Sequence, residues 1–83
     1  MGRLWVEVGD VEPGTVVELV SGTVDGPRWS EPLRAMVWGK DYYLTRVVWL
    51  DGWQVTGDDH VADCTAVEVL DETPPPTLWA PDA

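Results

Sequence analysis

The 83-residue chain has no Phe, no Ile and no Asn, a single lysine (Lys40), a single cysteine (Cys64) and a single histidine (His60). One cysteine excludes an intrachain disulfide, and with it the stapled scaffolds of small secreted proteins. A reducing cytoplasm is the expected compartment. The expected place for such a lone thiol is a small buried apolar site. No apolar run approaches the roughly 20 residues of a membrane-spanning helix. The opening MGRLWVEVGD lacks the apolar stretch of a secretory signal. A chain this short buries only about 60 % of its unfolded surface, which leaves a thin core and little room for a walled-off active site.

Positive charge is also scarce. Five Lys and Arg face 15 Asp and Glu, a net charge of −10. The imbalance lies in the second half: residues 47–83 hold Asp51, Asp58, Asp59, Asp63, Glu68, Asp71, Glu72 and Asp82 and no Lys or Arg. Nucleic-acid binding depends on neutralising phosphates, so direct contact with DNA or RNA is not expected. An anionic membrane surface would repel the chain as well. Arg28, Arg34, Lys40 and Arg46 are scattered and form no basic patch interleaved with aromatics. A basic protein surface, by contrast, would be attracted and its encounter accelerated.

What is present reads as β-structure. Leu4, Val6 and Val8 alternate with Trp5 and Glu7, Glu12-Pro13-Gly14 reads as a turn, and residues 15–20 form a β-branched second strand. Residues 21–32 read as a loop carrying Trp29, with a short paired segment around Thr23-Val24. Strands over 33–38 and 42–50 are joined through Gly39-Lys40-Asp41. The second places Tyr43, Thr45, Val47 and Trp49 on one face and Leu44, Arg46, Val48 and Leu50 on the other, as in a strand covered on both sides. Asp51-Gly52 between apolar runs signals a two-residue hairpin into Trp53-Gln54-Val55-Thr56. Gly57-Asp58-Asp59 reads as the cap of one helical turn through His60, Val61 and Ala62. Residues 65–70 form a last strand. The expected fold is all-β: an SH3-like barrel of five or six strands built from antiparallel hairpins over residues 1–72, closed to hide its edges, with an extended Pro-rich tail over 73–83.

Chemistry-bearing clusters are few. Asp58, His60, Asp63 and Cys64 offer metal donors within seven residues, but structural zinc sites join two ligand pairs and no second pair exists. His60 and Cys64 lie one helical turn apart on this reading. Nothing supplies the orienting third group or the framework of a nucleophilic site, so no catalytic residue, metal or cofactor is expected. The six tryptophans stand out. Each buries roughly 150–250 Å² when enclosed, more than a core this size can hold six times over. Trp38, Trp49 and Trp53 fit core filling in a chain without Phe. Trp5, Trp29 and Trp79 are the candidates for exposed binding rings, the type most enriched at interface hot spots. Residues 74–79 (Pro-Pro-Pro-Thr-Leu-Trp) either dock in a partner's groove or fold back onto the sheet, the latter favoured because a free Leu-Trp pair in water is a liability.

The small size, the missing Phe, Ile and Asn of a GC-rich coding genome, the tryptophan excess and the acidic second half resemble small accessory proteins of bacteriophages that infect actinobacteria. That resemblance is one of style over the whole chain and carries over no functional residue. It implies action in the host cytoplasm or in the virion. The expected function is a non-catalytic protein-binding module. It would set Asp51, Asp58, Asp59, Asp63, Asp71 and Glu72 beside Trp5, Trp29 and Trp79 to block a basic, nucleic-acid-handling partner, with salt-dependent affinity. The alternatives are a self-associating virion decoration or connector subunit, and sugar binding on exposed Trp platforms.

Overall fold

The computed structural model describes residues 5–19 and 33–79. Leu4, Val20, the 21–32 loop and Trp29 lie outside the described residues. Among the described residues six strands form one antiparallel sheet: β1 (Trp5–Glu7), β2 (Val16–Leu19), β3 (Leu33–Asp41), β4 (Leu44–Asp51), β5 (Gln54–Ala62) and β6 (Ala66–Val69), in the spatial order β1-β6-β2-β3-β4-β5. The all-β reading holds; closure does not. β1 and β5 are the two margins of an open sheet, where a barrel had been expected. Among the described residues the first strand spans three, and Val8, expected to continue it, begins a single 3₁₀ turn (Val8–Asp10). A strand that winds off at Val8 offers β5 no ladder of backbone groups. The turn instead hydrogen-bonds to the connection between β5 and β6, the Val8 N–H donating to the Thr65 carbonyl at 2.8 Å and the Gly9 N–H to that of Asp63 at 2.9 Å.

Period-two alternation gives the sheet two apolar faces. One gathers Val17, Leu19, Ala35, Val37, Val47, Val61 and Val67, covered by Val8 and Val11 from the 3₁₀ turn and its exit. The other gathers Val16, Met36, Val48 and Leu50. Removal of a Val or Leu side chain from water contributes roughly 1.5–3 kcal/mol, so an uncovered second face would forfeit much of a thin core. The C-terminal segment covers it. Leu78 and Trp79 pack against that cluster, and both their N–H groups donate to the Pro75 carbonyl, at 2.9 and 3.0 Å. The tail therefore turns back at Pro75 rather than running out extended. It docks over Gly14, whose φ of +89° suits glycine, and a Cβ there would collide with the Trp79 indole.

Three local expectations are corrected. The β3–β4 turn lies at Tyr42-Tyr43, since Asp41 pairs with Leu44, and Gly39-Lys40-Asp41 belong to β3. The β4–β5 hairpin exists, but its central pair is Gly52-Trp53, because Asp51 pairs with Gln54. Gly52 has φ of +63° and Trp53 does not share the positive sign, the pattern of a type II′ turn in which only the first position needs glycine. Finally, residues 57–62 are strand and not a capped helical turn. They complete β5 against Leu44–Trp49 of β4, with a one-residue bulge opposite Trp49 and Leu50. A single helical turn makes few backbone bonds; the neighbouring long strand offers one partner after another.

Candidate functional site

Four acids of the second half lie on β5 or at its two ends. Asp51 closes β4 beside the turn into β5 and is exposed. Asp58 and Asp59 sit in the middle of β5, and Asp63 follows its last residue. They are held differently. Arg46, one strand inward, bonds Asp58 through Nε at 3.1 Å and Nη2 at 3.0 Å, an exposed pair of small energetic weight. The Asp59 carboxylate accepts the N–H of His60 at 2.9 Å. Asp63 accepts the hydroxyl of buried Thr45 at 2.7 Å, and its own N–H donates to the Tyr43 carbonyl at 3.3 Å. His60 Nε2 lies 3.5 Å from Asp41 Oδ2, tying the middle of β5 to the end of β3.

Aromatic rings stand at both ends of this acidic margin. At the β3–β4 turn, Tyr42 and Tyr43 are 93 % and 81 % exposed and stack in parallel, with centroids 5.4 Å apart. Tyr42 has φ of +66°, a region that costs a bulky L-residue energy. At the other end Trp53, assigned to the core on sequence grounds, is 40 % exposed. Arg34 lies over its ring with Cζ 4.3 Å from the centroid, donates to the Gly52 carbonyl, and grips Glu72 Oε1 through Nε and Nη2 at 2.9 and 2.6 Å. Stacking and a forked contact suit Arg better than Lys.

The remaining candidates are dispersed. Trp5 is exposed on β1, at the opposite margin of the sheet from β5. Trp79 is half-buried in the chain's own fold. Asp71 and Glu72 lie in the segment leaving β6, Glu72 held by Arg34. The tyrosine pair was missed because nothing at Lys40-Asp41-Tyr42-Tyr43 offers the Gly or Asn that marks a positive φ, and Gly39 drew the turn upstream. Cys64 is exposed rather than buried, since it falls in the β5–β6 connection. The one-turn spacing of His60 and Cys64 disappears with the helix.

Neither known family models, curated proteins nor solved structures contain a match to this chain. Its chemistry must be read from its own residues. Among those described, no group of three or more His, Cys, Asp or Glu side chains is placed to hold a metal ion, and no helix is long and apolar enough to cross a membrane. An open hollow of about 320 Å³ lined by Trp38, Gly39, Lys40, Asp41, Arg46 and His60 borders the tyrosine turn. Its Arg46 and His60 face acidic partners, Asp58 and Asp41. The arrangement offers a flank of carboxylates with aromatic ends.

Proposed function

We propose that the chain is a non-catalytic protein-binding module that engages a basic partner along the β5 margin. One observation carries the reading: Asp58 and Asp59 sit in a nine-residue strand, about 30 Å long, with Asp51 and Asp63 at its two ends, that runs between exposed Trp53 and the exposed Tyr42–Tyr43 stack. Charge steers the encounter, and the rings give the lasting contact, because Tyr and Trp bury large area at little entropic cost. A flank of carboxylates competes with nucleic acid for a groove lined by Lys and Arg, so the partner class that fits is a nucleic-acid-handling protein whose groove is blocked. Assembly from copies of the chain is opposed by its net charge of −10.

Affinity capture from lysate at low and high salt tests this, with the Tyr42→Ser/Tyr43→Ser double variant beside the unaltered chain. The expected result is a basic protein retained at low salt, released at high salt and lost with the variant. Retention indifferent to both salt and the tyrosines, or a closed oligomer by light scattering with no other protein bound, overturns the reading.

A further inference from the structure

Strand β5 pairs with β4 on one side, and among the described residues no strand covers its other side. Such an edge turns the N–H and C=O of alternate residues outward, ready to pair with another chain. The N–H of His60 is taken up by the Asp59 side chain. This places His60, and with it Asp58 and Ala62, in the outward row.

Natural edges are blunted by charged side chains, Lys above all, by Pro, by bulges or by extreme shortness, and β5 carries one bulge, at Thr56 near its start. β5 has nine residues and neither Lys nor Pro. What it has at its centre is Asp58 and Asp59, and these select the strand it accepts. A second copy of β5 would set carboxylates against carboxylates, which is destabilising across a strand pair. A strand with Lys or Arg at alternate positions sets one row of cations on the Asp58 face, where among the described residues that carboxylate is otherwise met only by exposed Arg46, and its backbone carbonyl competes with the Asp59 side chain for the His60 N–H.

We propose that β5 is a docking edge for an extended, lysine- or arginine-bearing segment of a partner protein, which adds to the sheet as one further strand. The proposal rests on reading the β5 margin as a protein-binding surface and names the mode by which it binds. Main-chain hydrogen bonds supply the grip, and the acids supply the choice of sequence.

The test uses the full chain and two short peptides of equal charge, one alternating lysine with valine and the other lysine with proline. Proline has no N–H to give a ladder. Strand addition predicts that the lysine–valine peptide binds about tenfold more tightly, a difference equal to roughly one or two net hydrogen bonds. It also predicts slowed hydrogen exchange at the amides of Asp58, His60 and Ala62. His60→Pro removes an outward N–H and leaves the β4 ladder untouched, as edges tolerate, so it is expected to erase the preference while circular dichroism stays native. Equal binding of both peptides by the native chain overturns strand addition and leaves the acidic margin standing. If neither peptide binds even at low salt, both readings fall.

Discussion

The indole of Trp79 stands edge-on to that of Trp38, with ring centroids 4.9 Å apart and 73° between the planes. The contact joins the last described residue of the tail to the bulge in β3, where pairing with β4 skips between Val37 and Gly39. Because Trp38 is displaced from the regular register, its ring is free to meet the tail. The edge-to-face geometry adds about 0.5–1.5 kcal/mol to what burial supplies.

Trp79→Ala is accordingly expected to cost about 2–3 kcal/mol by urea denaturation, below the roughly 3–5 kcal/mol of a fully buried tryptophan because this ring is half-exposed. Gly14→Ala should destabilise by more than about 1 kcal/mol, through its positive φ and its collision with Trp79. In the Trp79→Ala background only the backbone part should remain, so the double-mutant cycle reads a coupling above roughly 0.5 kcal/mol. Strict additivity would mean that the tail does not dock on Gly14.

Tyr42→Gly separates stability from binding. Glycine relieves the backbone at φ of +66°, with an expected gain of about 1 kcal/mol. For a domain of this size that raises Tm by roughly 4–8 °C. The same change removes half of the exposed stack, so partner capture should weaken as the melting point rises. A lower Tm in the glycine variant would show that the tyrosine ring itself holds the turn.

Thr45→Val tests the contact that anchors the end of β5. Thr45 is fully buried on β4, and its hydroxyl donates to Asp63 at 2.7 Å. Valine keeps the shape and deletes the donor, leaving a half-buried carboxylate short of a partner. The expected cost is about 1–3 kcal/mol, with faster hydrogen exchange at the Asp63 amide, which donates to Tyr43. An unchanged midpoint would mean that water replaces the hydroxyl at no cost.

Much of this molecule is legible along the chain. Alternation at Thr45 to Leu50 is enough to assign a strand with two apolar faces, because side-chain direction in a strand has a period of two and needs no knowledge of neighbours. Fifteen acids against five bases make the chain strongly acidic, which needs only counting. The tail is half legible: its prolines signal an extended run, and only the cost of leaving Leu78 and Trp79 in water points to the return that the Pro75 turn makes. Other features depended on contacts that no local pattern contains. Gly57-Asp58-Asp59 carries a helix-cap signal, and only the unpaired length of β4 beside it turned those residues into strand. Tyr42 bears a positive φ without any of the residue types that announce one, because Asp41 and Leu44 are paired and the chain must reverse between them. Among the described residues the sheet stays open, with β1 and β5 at its two margins and the chain turning into a 3₁₀ turn at Val8. The same strand pairing put Asp58 and Asp59 on the edge strand with Asp51 and Asp63 at its two ends: charge is written in the sequence, but neighbourhood is made by folding.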